Sequence, residues 1–250
     1  MEDETVVDKP NLVVVHSIGK VGSYSIYKSI QAIGPIDVLH THQLNQDTIT
    51  DFVKKHGTPG HIKDSLYFLN EIPLDVPVKL ITPVREPVAR NISAFFENLK
   101  VFGFNPPYEE IDVDVLLNGF MERYPHDLPS TWFDDQYEKP LGIDVFSHSF
   151  GLGEEGTVIT SGRFEVLLLR LEDSNKVWEE RIRAFLGLTD FKLKSLNVGD
   201  GKDYGGVYGT FKSRLALPVA FLDQMYSTTF ARHFYSDEEI ESYRKKWSLI

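Results

Sequence analysis

Alternating hydrophobic and polar segments along the chain predict strands separated by helices. Continuous apolar runs, typical of strands that are buried on both faces of a parallel sheet, occur at residues 11–16, 36–39, 78–82 and 163–170. Segments with helical periodicity lie between and after these runs. Because strands alternate with helices, the sequence predicts βαβ units and an α/β fold, with a central parallel sheet between two helical layers.

The helical segments are recognised by their spacing and by the residues at their ends. Gly34-Pro35 ends the first helix near residue 32, and Ser236 with Glu239 has the spacing of a capping box. Helices are predicted up to residue 32 and at residues 48–55, 65–70, 88–102, 175–186, 218–228 and 236–247, with a helical insertion and loops at residues 105–156.

Composition and charge narrow the classes of function. The chain has 250 residues and is 42% hydrophobic, which predicts one globular domain at residues 11–250 after a flexible acidic leader at residues 1–10. The absence of cysteine excludes disulfides and cysteine nucleophiles. The net charge of −11 argues against a nucleic-acid partner. A small anionic ligand is compatible with this charge where a few basic side chains converge with backbone N–H groups.

The residue pattern contains no signal for membrane insertion or secretion. It has no run of about eighteen apolar residues, and its N-terminus has neither the basic region nor the apolar core of a signal peptide. The sequence therefore predicts a cytoplasmic protein without a membrane span. It does not indicate an oligomeric state.

A glycine-containing loop between the first strand and the first helix predicts an anion site. Such a turn directs several N–H groups at one point, and the helix dipole adds positive potential there. Gly19 and Gly22 allow close backbone approach, and Lys20 adds a positive charge. Ser23 and Ser25 add hydroxyl donors. The lysine precedes the second glycine, so the loop lacks the Walker A pattern. The alternative is a tight turn with an incidental lysine.

A second sequence element follows the third strand, and together with the loop it makes the chain resemble a known protein family. Arg85 lies at the end of this strand, and Ser93 lies eight residues later in the predicted helix. The run Gly19-Lys-Val-Gly-Ser-Tyr-Ser25 resembles the 5′-phosphosulfate loop of the sulfotransferase family, and residues 84–96 resemble that family's 3′-phosphate element. The tail at residues 234–240 resembles endings in a bacterial branch described as capsular polysaccharide synthesis proteins.

This resemblance implies a topology like that of the P-loop NTPases and a donor, 3′-phosphoadenylyl sulfate, that reacts without a metal. Arg85 and Ser93 would hold the donor's 3′-phosphate. The alternatives are an ion pair of Arg85 with Glu86 and a solvated helix position for Ser93. Val21 departs from the family, in which many members carry a hydroxyl residue there, but its backbone N–H remains. The loop residues predicted to bind the donor are Gly19, Lys20, Val21, Gly22, Ser23, Tyr24 and Ser25.

Two histidines after the second strand are candidates for the base that takes the acceptor's proton, because histidine titrates near neutral pH. His40 and His42 are at i and i+2, so both rings can face one cleft. We expect His42 to be the base and His40 to be the second choice. A His-x-His pair there resembles the arrangement in uronyl 2-O-sulfotransferases. The alternatives are two metal ligands, for which the pattern offers no third, or structural histidines. Lys20 would stabilise the bridging oxygen of the leaving phosphate, and His16 is a weaker candidate base.

Two further groups of residues are predicted to contact the nucleotide or the acceptor, with less support from the sequence pattern. The glycine-rich stretch at residues 197–209 is predicted to be a mobile loop. The resemblance to sulfotransferases implies that residues 201–212 cover the nucleotide, and an ordinary exposed loop is the alternative. Its candidate contacts are Lys202, Tyr204, Tyr208 and Lys212. Three aromatic residues are candidates to line an acceptor pocket, with buried packing as the alternative: Trp132, Phe133 and Tyr137.

Together these features predict a sulfotransferase that moves a sulfuryl group from 3′-phosphoadenylyl sulfate to a hydroxyl of a carbohydrate or small molecule, in line and without a metal. A P-loop kinase or NTPase is the second hypothesis. It is disfavoured by the lysine position and because no Asp follows the third strand to hold Mg²⁺. The third hypothesis is a non-catalytic protein that binds a nucleotide or glycan in capsular polysaccharide synthesis.

Overall fold

The structure, a computed structural model, describes residues 12–151, 156–194 and 203–248. The chain divides into two compact units, and the single domain that the sequence predicts at residues 11–250 stays a prediction. The leader predicted at residues 1–10 lies outside the described residues. The first unit comprises Met1–Val84 and Phe133–Leu196, and the second comprises Arg85–Trp132 and Asn197–Ile250.

The first unit is built on a mixed sheet. Among the described residues its strands are β1 Leu12–His16, β2 Asp37–Thr41, β3 Val78–Val84, β4 Thr157–Ser161 and β5 Phe164–Arg170. The sheet order is β2-β1-β3-β5-β4, and β1 pairs in parallel with both β2 and β3, as β3 does with β5. The α/β class and the four parallel strands predicted from the apolar runs are therefore confirmed.

Strand β4 corrects the prediction of an entirely parallel sheet. It pairs antiparallel with β5, with Ser161 opposite Phe164. The two-residue turn between them begins with Gly162, whose φ of 57° is the left-handed conformation that short hairpin turns require. The sequence gives little sign of β4, because Ile159 is its single fully buried residue and an edge strand of this kind has almost no hydrophobic run.

The helices agree with the predicted segments except at several ends. α3 begins at Gly60 where the prediction begins at residue 65, and α4 ends at Glu97 where the prediction continues to residue 102. The capping box is confirmed, because Glu239 N donates to Ser236 Oγ at 3.2 Å and Ser236 N donates to Glu239 Oε2 at 2.9 Å. In chain order the helices are α1 Ser23–Gln31, α2 Gln46–His56, α3 Gly60–Glu71, α4 Pro87–Glu97, α5 Val113–Arg123, α6 Leu128–Phe133, α7 Lys139–Leu141, α8 Ser174–Leu186, α9 Gly205–Arg214, α10 Val219–Tyr226, α11 Thr229–Phe234 and α12 Asp237–Trp247, with a π-helix at Asp134–Glu138 and 3₁₀ turns at Tyr108–Glu110, Val145–Ser147 and Leu171–Asp173.

One face of the sheet packs on α1 and α8. Side chains alternate along a strand, so Val13 and Val15 of β1 face this core while Val14 and His16 face the opposite side. On that opposite side Tyr137 of the π-helix hydrogen-bonds Thr82 through its hydroxyl. Helical segments therefore cover both faces of the sheet, and the P-loop-like topology stays a prediction. The core on the α1 and α8 side consists of Val13, Val15, Ile26, Ile30, Ile36, Ile81, Leu167, Leu169, Trp178, Ile182, Leu186, Leu188 and Phe191.

The second unit is helical and has an aromatic core. Phe95 of α4 lies 5.5 Å from the Phe120 ring of α5, and Phe96 lies 4.9 Å from the Phe211 ring of α9, measured between ring centroids. These distances are typical of favourable aromatic pairs, each of which adds about 0.5–1.5 kcal/mol to the burial of its apolar area.

Helix α9 corrects the prediction of a mobile loop at residues 197–209 and of a covering loop at residues 201–212, from residue 205 onward. Residues 203–204 form a turn and Gly205–Arg214 is helical, whereas residues 197–202 lie outside the described residues. The three glycines of α9 are poor helix formers. Burial of Val207 and Phe211 against the aromatic core compensates for them, and this contribution is absent from the local pattern.

Glu86 joins three helices of the second unit through its buried carboxylate, which is 1% exposed. As the N-cap of α4 it accepts hydrogen bonds from Val88 N at 2.7 Å and Ala89 N at 2.9 Å. It also accepts from the Tyr226 hydroxyl of α10 at 2.6 Å and from Trp247 Nε1 of α12 at 3.2 Å. Burial, and then the charge of Glu86, raise the pKa of Tyr226. The carboxylate thus has the donors that make a buried charge tolerable.

Across the described ranges, no helix combines the length and the apolar character needed to cross a membrane.

We predict that Glu86→Gln lowers the free energy of unfolding by about 2–3 kcal/mol, because an amide has one acceptor oxygen where four donors converge and its NH₂ group faces other donors. Urea denaturation followed by circular dichroism measures this loss. The matched control is Glu109→Gln, which replaces an exposed glutamate of the same unit and should change stability by less than about 0.5 kcal/mol. Equal effects of the two substitutions would contradict the role given to Glu86.

Candidate functional site

The loop between β1 and α1 turns sharply through left-handed backbone conformations. Gly19, Lys20 and Gly22 have φ values of 80°, 64° and 81°. Lys20 is the one residue other than glycine with a positive φ in the part of the chain that the structure describes. This conformation costs a non-glycine residue about 1–2 kcal/mol. Strain of this kind is often found at functional sites, where the surrounding structure maintains it.

Position 22 requires glycine because a side chain lacks space there, as well as because of its left-handed backbone conformation. A Cβ atom at this position would lie 3.0 Å from Cη2 of Trp178 and 3.1 Å from Cδ1 of Leu171. Trp178 is itself held, because its Nε1–H donates to the Arg170 carbonyl at 2.9 Å. The loop therefore packs directly on the hydrophobic core of the first unit, and the core determines its shape.

His42 lies beside this loop with its tautomer determined by one hydrogen bond. Its Nδ1 is 2.7 Å from the carbonyl oxygen of Ser17, and a carbonyl can only accept, so Nδ1 carries the proton. In the neutral ring Nε2 is then the proton acceptor. A Cβ placed on Gly19 would lie 3.6 Å from that Nε2, so the basic nitrogen is next to the backbone of the loop.

His40 contacts the start of α1. Its Nε2 shares a hydrogen bond of 3.0 Å with Ser23 Oγ, and its backbone N–H donates to Asp64 Oδ2 of α3 at 2.9 Å. The centroids of the His40 and His42 rings are 4.7 Å apart. The structure therefore brings together the predicted loop and both predicted histidines in the first unit.

His61 is a third imidazole of this site, and sequence reasoning missed it. Its ring centroid lies 4.9 Å from that of His42. His61 and Asp64 are both in α3, in the part that precedes the predicted start of this helix. Pro59-Gly60 immediately before them is a helix-start signal that could have moved the predicted boundary.

Burial keeps these histidines neutral. It lowers the pKa of His40 to about 4, with a smaller contribution from His61. It lowers the pKa of His42 well below the ordinary value, assisted by His40 and His61. Burial also lowers the pKa of His61, although nearby Asp64 acts in the opposite direction. Neutral imidazoles can accept a proton, so the cluster has the protonation state that a general base requires.

His16 has a structural environment. It is fully buried at the end of β1, its Nδ1 is 2.8 Å from Thr41 Oγ1, and its ring centroid is 5.2 Å from that of Tyr137. Burial lowers its pKa to about 3. These contacts agree with its lower rank among the candidate bases. Within the described ranges, no group of three or more His, Asp or Glu side chains is arranged to hold a metal ion.

The remaining predicted nucleotide contacts lie in the second unit or outside the described residues. Arg85 directly follows β3 in the chain and is half-buried, and Ser93 is half-buried in α4. Tyr208 and Lys212 lie one turn apart in α9, with Lys212 Nζ 4.3 Å from the Tyr208 ring centroid. Lys202 lies outside the described residues. Their contact with a nucleotide stays a prediction.

The three aromatic residues predicted to line an acceptor pocket are buried. Trp132 is 5% exposed, Phe133 is 2% exposed and Tyr137 is fully buried. Burial agrees with the packing alternative for all three residues.

We predict that Gly22→Ala destabilises the protein more than a matched substitution at an open left-handed glycine. Gly142 has a φ of 68°, and no atom lies within 4 Å of the place that a Cβ would take there, so Gly142→Ala carries the backbone cost alone, about 1 kcal/mol. Gly22→Ala adds the clash with Trp178 and Leu171, about 1–3 kcal/mol more. Urea midpoints of the two variants measure the difference, and equal midpoints would show that the loop is not held against the core.

We predict that stability falls as the pH drops below 6.5, because the buried histidines take up protons in the unfolded chain before they do so in the folded one. For His40, stability is fully present above its unfolded pKa of 6.5 and is lost progressively as the pH falls toward its folded pKa of about 4. His40→Gln should reduce the dependence of unfolding free energy on pH by about 1 kcal/mol per pH unit in this window. His148→Gln, which replaces an exposed histidine, is the control substitution. Urea unfolding at several pH values measures both slopes, and an unchanged slope for His40→Gln would contradict a neutral, half-buried His40.

Comparison with known proteins bears on the family. A family model described as "NKWYS: Putative capsular polysaccharide synthesis protein" matches residues 108–236, just over half of the chain. Searches of curated proteins and of solved structures gave no match. The matched residues begin after the loop and the histidine cluster, and they include β4, β5 and most of the helices of the second unit. The chain belongs to this NKWYS capsular polysaccharide synthesis protein family.

Proposed function

We propose that this protein is a sulfotransferase that moves a sulfuryl group from 3′-phosphoadenylyl sulfate to a hydroxyl of a carbohydrate acceptor. The observation that carries the proposal is the position of His42, a neutral imidazole with Nδ1–H bonded to Ser17 and Nε2 beside Gly19 of the lysine-containing loop. A base and a candidate anion-binding loop adjoin within one unit, as group transfer from an anionic donor to a hydroxyl requires.

The proposed reaction uses His42 as the proton acceptor. The acceptor hydroxyl gives its proton to His42 Nε2, its oxygen forms a bond to sulfur, and the bond between sulfur and the bridging phosphate oxygen breaks. The Ser17 carbonyl holds the ring in the tautomer that leaves Nε2 as the acceptor, and it stabilises the imidazolium that forms. His40, bonded to Ser23, is the second candidate for this role.

The low pKa of His42 is compatible with this role when an anion is bound. A negative charge within a few ångströms favours the protonated form of an imidazole and raises its pKa. An anionic donor in the loop would therefore move the pKa of His42 upward, in the direction that makes it a better base at neutral pH. Without that charge, burial keeps the ring neutral.

Lys20 is the proposed electrophile, because its charge would stabilise the oxygen that leaves with the phosphate. The left-handed backbone conformation of Lys20 is unfavourable, and the surrounding structure maintains it. Such strain is expected where function depends on the direction of the side chain. The roles of Arg85 and Ser93 at the 3′-phosphate rest on the sequence resemblance. Membership of the NKWYS family supports a carbohydrate acceptor.

A P-loop kinase or NTPase fits the same residues less well. Lys20 precedes the second glycine of the loop, and β3 is followed by Arg85 in place of an acidic metal ligand. A non-catalytic protein that binds a nucleotide or a glycan would use the same loop and would lack turnover. A turnover assay therefore distinguishes this hypothesis from the sulfotransferase.

We predict that 3′,5′-adenosine bisphosphate raises the melting temperature by several degrees, whereas ATP with Mg²⁺ does not. Ligand at about 100 times its Kd stabilises a protein by about 2.7 kcal/mol. Lys20→Ala should reduce the shift, because it removes a charge from the loop. Lys54→Ala, which removes an exposed lysine of α2, should leave the shift unchanged. Differential scanning fluorimetry measures all three proteins.

Equal stabilisation by both nucleotides, or by neither, would overturn the sulfotransferase proposal. Transfer of labelled sulfate to a panel of saccharides, followed by mass spectrometry, separates an enzyme from a binder. His42→Gln should lower kcat by about 10²–10⁴-fold while the nucleotide shift persists. A nucleotide shift in the wild type without transfer to any acceptor would favour the non-catalytic binder.

A further inference from the structure

The outward face of α1 carries an aromatic and polar stripe next to the histidine cluster. Tyr24, Tyr27, Lys28 and Gln31 are at i, i+3, i+4 and i+7, so they lie along one side of the helix. The opposite side of α1 is buried in the core. Tyr24 is 41% exposed, so much of its ring is open to solvent.

The rings of this stripe continue into the candidate site. The Tyr24 and Tyr27 centroids are 6.1 Å apart, and the Tyr27 ring stacks on the His40 ring at 5.4 Å with an interplanar angle of 18°. His40 in turn lies 4.7 Å from His42. An aromatic surface therefore runs without interruption from the solvent-exposed side of α1 to the proposed base.

Polar groups border these rings. Lys28 Nζ lies 5.2 Å from the Tyr27 ring centroid and 5.7 Å from that of Tyr24. It donates to Gln31 Oε1 at 2.7 Å, and Gln31 Nε2 donates to the Tyr27 hydroxyl at 3.2 Å. The ammonium and the amide are thus oriented at the edge of the rings, where they can exchange these partners for those of a ligand.

We propose that the side chains of Tyr24, Tyr27, Lys28 and Gln31 form a subsite for a pyranose ring of the saccharide acceptor. For Tyr24 this leaves only the backbone N–H for the donor contact that the loop resemblance predicts. The C–H face of a sugar packs on aromatic rings, and its hydroxyl groups take hydrogen bonds from amide and ammonium groups at the rim. This stripe offers both elements. It also leads to His42, which is where an acceptor hydroxyl must arrive, so the inference rests on the proposed function and gives the acceptor a location.

The geometry distinguishes this stripe from an ordinary helix surface. Tyr67 of α3, which is 51% exposed, is a tyrosine on an exposed helix face for comparison. Tyr27 stacks on a histidine of another element, and that histidine is bonded to Ser23 in the first turn of α1. The Tyr27 ring is therefore held against His40 before a ligand arrives, which reduces the entropy cost of binding.

Saturation-transfer NMR on the full chain tests the subsite, with the methyl β-glycosides of glucose, galactose, N-acetylglucosamine and glucuronic acid as probes. We expect saturation of the ring protons of at least one glycoside by the wild-type protein. Tyr24→Leu and Tyr27→Leu keep an apolar side chain and remove the flat ring, so each should weaken binding by about tenfold. Tyr27→Phe keeps the ring and should retain most of the signal.

Tyr67→Leu is the matched control and should leave the signal unchanged. No saturation of any probe by the wild type, or equal loss in Tyr67→Leu and Tyr27→Leu, would overturn the subsite. Circular dichroism of each variant excludes unfolding as the cause of a loss. The response to 3′,5′-adenosine bisphosphate is measured on the same samples. Saccharide binding without a response to 3′,5′-adenosine bisphosphate would support the subsite and contradict the sulfotransferase proposal. A response to the nucleotide without saccharide binding would contradict the subsite alone.

Discussion

The hydrogen bond from His42 Nδ1–H to the Ser17 carbonyl is the interaction on which the candidate site depends. Together with the bond from Ser17 N to Thr41 O, it ties the residue after β1 to the end of β2. The parallel register, with His16 opposite Thr41, brings both chain segments out of the sheet at the same level. A slip of one residue in this pairing would turn His42 to the other face of the sheet, away from the loop.

Burial determines the protonation state of the histidines in the candidate site. Imidazoles as close as those of His40, His42 and His61 would repel one another if charged, and lowered pKa values remove that repulsion. The arrangement is stable as long as the rings are neutral and becomes costly when they are protonated. An anionic ligand bound in the loop, as proposed, would reverse the balance and favour proton uptake by this cluster.

The family and the site chemistry rest on different parts of the chain. The NKWYS match at residues 108–236 covers β4, β5, the helices α5 and α9 of the aromatic core, and α10, whose Tyr226 contacts Glu86. The loop and the histidines come before it. Family membership therefore supports a role in polysaccharide biosynthesis. The chemistry has to be argued from the geometry of the first unit, in which the loop, the histidines and the aromatic stripe of α1 adjoin.

The sequence by itself determined the four parallel strands, the strand-loop-helix with Gly19, Lys20 and Gly22, and the capping box of α12, because each depends on residues close together in the chain. It also placed His40 and His42 on a shared segment. Only the tertiary structure decided that α3 brings His61 and Asp64 to this segment, that β4 closes the edge of the sheet, and that residues 205–214 are helical. These outcomes depend on contacts between residues far apart in sequence, whose energies a local pattern does not contain.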